Sequence, residues 1–271
     1  MKSLAKQTTP ELGGHTSVLA RQKRDHVRLD NLLQRLGNLA PGDQQPVLRE
    51  IYRLVFPHAF AEESVLWPVI RRLAPDGQQL TLRVELEHQE INALASELER
   101  RDAYSSNRQQ VLQQFVDLLR QDVRDEEDEL LPRLQMQLTQ PKLRRLGIAW
   151  EAVRRIAPTR PHPVVSRRPP GNVLAALPLS ILDRSRDSVD GLIHRRGDRV
   201  AQPLKAVSAG LARAARVVEQ LPGMRLGEDP ATRAAGKSPP PWGAIAFLTI
   251  VTAAAAVAIA HRRQKTASLA A

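Results

Sequence analysis

The feature that most constrains the fold is a helical spacing of apolar residues that runs from about residue 15 to residue 156. Three short breaks rich in Gly, Pro, Asn and Ser interrupt it, at 37–46, 74–79 and 102–107. The spacing predicts helices over 15–36, 47–73, 79–101 and 108–138, and a shorter fifth helix over 141–156. Because short connections make neighbouring helices antiparallel, we expect an all-α, up-down-up-down four-helix bundle over 15–139 and an accessory helix over 140–156.

The remainder of the chain has a different composition. Residues 157–178 contain six prolines, which cannot occupy a helix interior and predict an extended linker. Residues 179–241 are basic, with a broken amphipathic pattern, and we expect them to be only partly ordered.

An uncharged segment of 18 residues, 243–260, follows. As a helix it would extend about 27 Å, enough to cross the hydrocarbon core of a bilayer. The sequence predicts a single transmembrane helix over 242–261 and a basic tail over 262–271, with interface residues Trp242, Arg262, Arg263 and Lys265. An Ala-rich helix packed against protein is the alternative. Because the N-terminal residues lack the apolar stretch of a signal peptide, we expect the bundle to be cytoplasmic.

The net charge of +11 invites comparison with nucleic-acid-binding proteins. Residues 1–156, however, hold 23 basic and 22 acidic residues, whereas residues 157–271 hold 17 and 7. The basic part has no interleaved aromatic residues for base stacking and no DNA-binding motif, so anionic membrane lipids are the expected partner and nucleic acid is not. With no Cys in the chain, any metal must bind to His and carboxylates.

Polar residues interrupt the apolar stripe of each predicted bundle helix near its middle. His26 lies about 11 residues before the first break and His58 about 12 after it, so antiparallel helices bring them to one level. Glu62 lies about 11 residues before the second break and His88 about 9 after it. His88 lies about 13 residues before the third break and Asp122 about 15 after it. Burying such groups without partners costs several kcal/mol each, and a metal would compensate for that cost. The candidate metal ligands are His26, His58, Glu62, His88, Asp122 and Glu126.

Two segments match in register, 58–68 and 122–132. Each has Glu four residues after its first polar residue, followed by a second Glu and later by a Leu and a Pro. We expect Glu62 and Glu126 to point inward. The second residues of the pairs, Glu63 and Glu127, should turn outward, Glu127 within a solvated acidic face over 125–129. His162 is expected to be a solvated linker residue.

The segment His58-Ala-Phe-Ala-Glu62-Glu63-Ser-Val-Leu-Trp-Pro, together with Asp25-His26 and Glu87-His88 on the adjacent helices, resembles the hemerythrin or HHE cation-binding family. The segments 158–163 and 169–187 resemble an extension of actinobacterial relatives. The resemblance implies a non-heme di-iron site at the bundle centre. Such a site binds O2 or responds to oxygen, nitric oxide, peroxide or iron.

Carried over residue by residue, the resemblance makes His26, His58 and His88 terminal ligands and makes Glu62 and Glu126 bridging carboxylates. Asp122 departs from the family pattern, which has His at that position. A set of three His and three carboxylates is richer in oxygen than that of an O2 carrier, and it favours ferric iron or a metal such as Mn.

Three functions remain open. The first is a membrane-anchored iron protein that senses or buffers a diatomic gas, the redox state or iron. The second is a metal-free structural adaptor at the membrane. The third is an enzyme with a carboxylate-rich oxidase or peroxidase-like site, which no substrate-pocket signature supports. The sequence identifies no protein partner.

Overall fold

A computed structural model describes residues 2–196 and 198–233, and this part of the chain is helical and contains no strands. The predicted transmembrane helix, its interface residues and the basic tail lie outside the described residues. Among the described helices, none is both long and apolar enough to span a membrane.

Four long helical runs form the predicted bundle, and two of them contain a π-helical turn. The first run is α1 (Val18–Gly37), and the third is α4 (Gly77–Arg100). The second joins α2 (Gln44–Ala61) to α3 (Trp67–Leu73) through a π turn at Glu62–Leu66. The fourth joins α5 (Arg108–Asp125) to α6 (Leu131–Gln137) through a π turn at Glu126–Leu130. The fifth predicted helix is α7 (Gln140–Ile156).

Two apolar clusters form the bundle core, one on each side of the polar layer. The first combines the C-terminal halves of α1 and α4 with α2 and α5, around Leu33, Ile51 and Phe115. The second combines the start of α1 with α3, α6 and α7, around Leu19, Trp67 and Leu130. Successive runs contribute opposite ends to each cluster, which is the antiparallel arrangement that the short connections predict.

Helix α7 packs across α1 and α2 and closes one side of the bundle. Trp150 and Leu143 are its buried anchors. At Gly147 a Cβ atom would lie 2.1 Å from the backbone oxygen of Thr16. Glycine therefore allows this close approach to the segment before α1.

The described residues after 156 differ from the sequence prediction. Residues 157–170 contain no helix, and they are largely buried against the bundle rather than extended in solvent. Helix α8 (Gly171–Arg196) then pairs with α9 (Asp198–Glu219), and the two enclose a small core of their own. Pro178 lies inside α8, in the part of the chain where six prolines suggested a linker.

Ion pairs of two arginines connect this region to the bundle. Arg160 is paired with Glu99 of α4 at 2.9 Å, and Arg168 is paired with Glu85 at 2.6 Å. Part of the basic excess that suggested a lipid-facing tail therefore neutralises acidic residues of the bundle. The prediction of a linker from its prolines could not include these ion pairs, because they are tertiary contacts between residues distant in sequence.

Candidate metal centre

The two matching segments each begin a π-helical turn at their first Glu. The backbone N–H of Trp67 donates to the carbonyl of Glu62, and that of Leu131 donates to the carbonyl of Glu126, five residues back in each case. A π turn contains one extra residue relative to an α turn, which changes the direction of the side chains around it. The repeat seen in the sequence is therefore also a repeat of backbone geometry.

All six predicted site residues are buried and lie in one layer of the bundle. Nε2 of His26 is 3.2 Å from Oε2 of Glu126, and Nε2 of His58 is 3.1 Å from Oε1 of Glu62. Nε2 of His88 lies 3.4 Å from Oδ1 of Asp122 and 3.7 Å from Oε1 of Glu126. The structure thus brings the whole predicted set together, and each imidazole directs the same ring nitrogen toward the centre.

The other ring nitrogen of each imidazole contacts a second carboxylate. Nδ1 of His26 is 2.9 Å from Glu127, Nδ1 of His58 is 3.3 Å from Asp25, and Nδ1 of His88 is 3.0 Å from Glu63. The prediction that the second Glu of each pair turns outward is therefore wrong. Glu63 is 1% exposed. The π turns explain the difference, because an α-helical wheel does not include their extra residue.

This outer set of carboxylates fixes how the imidazoles can act. Each one can accept a hydrogen bond from Nδ1–H, and in that tautomer Nε2 keeps its lone pair directed inward as a ligand atom. Asp25 and Glu63 are themselves near arginines, with Arg154 at 3.6 Å and Arg167 at 3.7 Å. The sequence signal that could have revealed the outer set is the Glu-Glu doublet, which occurs at the same place in both repeats.

The inner atoms fit a cation. Nε2 of His26 faces Nε2 of His58 at 3.3 Å, an arrangement that places two lone pairs opposite each other once the Nδ1 atoms carry the protons. Within the described part of the chain, several inner atoms make no hydrogen bond; these are the two oxygens of Glu62, Oδ1 of Asp122, Oε1 of Glu126 and Nε2 of His88. Buried polar atoms without hydrogen bonds are costly, and a metal ion at their centre would satisfy them.

The pKa values of the inner site residues are shifted from their ordinary ranges when no metal is bound. Burial lowers the pKa of His26, but its contacts with Glu126 and Glu127 outweigh burial and raise the pKa to about 9. Burial raises the pKa of Asp122 well above the ordinary range of a carboxyl, although His88 opposes the shift. Burial together with the charge of Glu126 raises the pKa of Glu62. Metal binding must therefore displace protons from these groups.

The candidate ligands separate into two subsets that share Glu126. His26, His58, Glu62 and Glu126 present atoms within 4.8 Å of one another, and so do His88, Asp122 and Glu126. The first subset has two imidazoles, whereas the second has one. Each subset could hold a metal ion, and the two ligand sets differ.

Aromatic residues and a small cavity surround the layer. Trp67 stacks on the ring of His88, and Trp150 of α7 meets the ring of His58 edge to face. A cavity of about 20 Å³ adjoins His26, His58 and Asp122, and its other walls are mainly apolar. Such a volume holds one water-sized molecule. A groove of about 390 Å³ along α1 and α5 also reaches His26 and Glu127.

His162 lies away from this centre and is buried, contrary to the prediction of a solvated linker residue. Its Nε2 is 3.1 Å from Asp183 of α8, and its Nδ1 is 3.6 Å from Glu219 of α9. The ring nitrogens thus pair with carboxylates on opposite sides. His162 joins the two helices of the C-terminal hairpin.

Comparison with known proteins agrees with this geometry. The family model of the hemerythrin HHE cation binding domain matches residues 17–134. An uncharacterized hemerythrin-like protein of Schizosaccharomyces pombe is 24% identical over 173 residues, which cover 62% of this chain and 83% of that protein. No solved structure gives a significant match. Residues 17–134 are therefore similar to the hemerythrin HHE cation-binding domain, and buried His and Glu side chains within this range form a candidate metal site.

Proposed function

We propose that the chain is a membrane-anchored, hemerythrin-like protein that binds non-heme iron at two adjacent positions. The observation that carries the proposal is the convergence of three Nε2 atoms and three buried carboxylates on one layer, with several atoms that make no hydrogen bond among the described residues. Each imidazole is oriented by an outer carboxylate, as in metal-binding histidines generally.

The ligand chemistry favours iron, with manganese as the second choice. The set contains imidazole nitrogens and carboxylate oxygens, and the chain has no thiolate to select a softer metal. Bound iron would supply a change of oxidation state and a binding position for a small ligand. The residues of the chain hold the ions, keep Nδ1 of each imidazole protonated and exclude bulk water through Trp67 and Trp150.

The function that follows is sensing or buffering of O2, nitric oxide, peroxide, the redox state or iron. The small cavity beside His26, His58 and Asp122 supports a ligand of two or three atoms. The uncharged segment 243–260 supports a single-pass anchor with the bundle in the cytoplasm. We also infer that segments 158–163 and 169–187 correspond to the extension of actinobacterial relatives.

The test is metal analysis of the full chain, purified in detergent and reconstituted aerobically with ferrous iron. We expect about two iron atoms per chain, with charge-transfer absorption in the near-UV and visible range. Removing the iron with a chelator should lower the midpoint of thermal unfolding, because the inner carboxylates would lose their counter-ions. A chain that takes up no iron, and whose thermal stability a chelator leaves unchanged, would instead be a metal-free structural adaptor.

Asp122 favours one second candidate, a carboxylate-rich oxidase or peroxidase-like site. Oxygen ligands stabilise the higher oxidation state of iron. Multiple turnover of ferrous iron or peroxide by the loaded protein would identify an enzyme. A single stoichiometric reaction per site would identify a sensor or buffer.

A further inference from the structure

The outer face of α8 is apolar over its first three turns. Val173, Leu174, Leu177 and Ile181 share this face, and each is between 44% and 60% exposed. The opposite face is also apolar, because Ala175, Leu179 and Leu182 are buried in the small core with α9. A surface helix normally presents polar residues to water, so a contiguous apolar stripe indicates a contact surface. These four exposed residues are called the α8 stripe below.

Basic and apolar neighbours extend the stripe at its two ends. The exposed Arg184 continues the same face one turn after Ile181 and donates to the backbone carbonyl of Arg155. Arg155 is itself 75% exposed. At the other end Leu226 is 51% exposed, and its carbonyl accepts from the backbone N–H of Gly171 at the start of α8. Apolar residues bordered by arginine are typical of helices at a membrane surface.

The described chain ends beside the first turn of α8. Asp229 is paired with Arg168 at 3.0 Å, so the segment leading to Arg233 is held near Gly171. The uncharged segment 243–260 begins ten residues after Arg233. Ten residues extend at most about 35 Å. The start of the apolar segment therefore lies within that distance of Arg233, the last described residue.

We propose that the α8 stripe rests on the surface of the lipid bilayer in which segment 243–260 is anchored. This inference rests on the proposed membrane attachment. It would hold the bundle at a fixed orientation to the bilayer rather than on a free tether. The exposed arginines at the end of the stripe, Arg184 and Arg155, favour anionic lipid as the partner. The stripe covers only about 12 Å of helix axis, which is small for a stable interface between two copies.

The absence of cysteine from the sequence allows a direct test. Leu177→Cys in the full chain would be labelled with bimane and reconstituted into vesicles of phosphatidylcholine and phosphatidylglycerol. Lipids with brominated acyl chains quench only a label that reaches the membrane. The control is Tyr104→Cys, a position 78% exposed in the connection between α4 and α5. We expect quenching at least threefold stronger at position 177 than at position 104, and a similar excess for Leu174→Cys.

Vesicle flotation and iron content separate the possible failures. If the chain floats with the vesicles but positions 177 and 104 are quenched equally, the α8 contact is overturned and the anchor stands. A chain that does not float overturns both the anchor and the contact. Excimer emission from pyrene at position 177, without quenching by lipid, would show that a second copy covers the stripe and would overturn the inference. Iron content, measured on every variant, reports on the metal centre independently.

Discussion

The two repeated segments of the bundle share a backbone and differ in one ligand. His58 and Asp122 occupy the same place before a π turn, and Glu62 and Glu126 begin those turns. His58 has partners at both ring nitrogens, Asp25 outside and Glu62 inside. Asp122 instead carries a carboxyl group, whose Oδ1 lies 3.4 Å from Nε2 of His88. Segment 58–68 thus contributes an oriented imidazole nitrogen to the site, whereas segment 122–132 contributes a buried carboxyl group.

This difference makes the two candidate metal positions unequal. The position on His26, His58, Glu62 and Glu126 has two oriented imidazoles, whereas the position on His88, Asp122 and Glu126 has one. Burial also raises the pKa of Asp122 well above its ordinary range, so a metal there must displace a proton from a carboxyl. We expect the first position to bind metal more tightly than the second.

The largest effect is expected from Glu126, the residue that the two positions share. Glu126→Ala removes a ligand from each position, and we expect iron content to fall from about two atoms per chain to less than about 0.2. Glu62→Ala should mainly empty the first position. Asp117→Ala, an exposed carboxylate on the same helical run, is the matched control. Iron content after reconstitution is the measurement, and full retention of both atoms in Glu126→Ala would show that Glu126 is not a ligand.

Substitutions of Asp122 test directly whether the two positions bind metal with different affinities. Asp122→His would give the two repeated segments the same ligand at this place. We expect the second iron to bind at least tenfold more tightly, a change in binding free energy of about 1.4 kcal/mol. Asp122→Asn should lose the second iron and keep the first, because an amide is a weak, neutral ligand. Titration calorimetry with ferrous iron under anaerobic conditions resolves the two steps. Identical titrations of the native chain and Asp122→His would mean that position 122 contacts no metal.

The outer carboxylates should produce a smaller effect, and an unequal one. Loss of a partner to a metal-binding imidazole typically costs about 10- to 100-fold in metal affinity. Glu63→Gln acts on His88, the one imidazole of the second position, so it should weaken that position within this range. Glu127→Gln should weaken the first position less, since His58 remains oriented by Asp25. Glu90→Gln, exposed on α4, controls for charge, and an effect from it equal to that of Glu63→Gln would refute the orienting role.

These residues also show what the sequence could and could not predict. The spacing of the apolar stripes and the positions of the short breaks were enough to place the three histidines and Asp122 in one layer. Helical period and loop length determine where a residue lies along the bundle axis. The inward direction of Glu63 does not follow from the α-helical period, because it depends on a π turn that this period does not encode.

The prediction of an extended linker over 157–178 was wrong for a related reason. Its prolines and charges were interpreted locally, whereas Arg160 and Arg168 gain their partners from a distant helix. Local composition therefore indicated a linker where tertiary ion pairing produces a folded, bundle-bound segment.

His162 provides the control for the comparison between the two repeated segments, because it is a buried histidine that lies away from the metal centre and is near two carboxylates. Its nitrogens contact Asp183 and Glu219, and its backbone N–H donates to Asn92. His162→Gln should leave the iron content unchanged. It should lower the free energy of unfolding near pH 6 by about 3 kcal/mol, because two buried carboxylates lose their counter-charge.

The pH dependence of that loss distinguishes a charged clamp from simple packing. Burial lowers the pKa of His162, but Asp183 and Glu219 outweigh burial and raise it from 6.5 to about 10. A raised pKa stabilises the folded state fully below pH 6.5, and the stabilisation disappears as the pH rises through 10. The difference in unfolding free energy between the native chain and His162→Gln should therefore shrink between pH 6.5 and pH 10 in denaturant titrations. A constant difference over this range would show that His162 is held by shape alone, and a fall in iron content would place it among the metal-binding histidines.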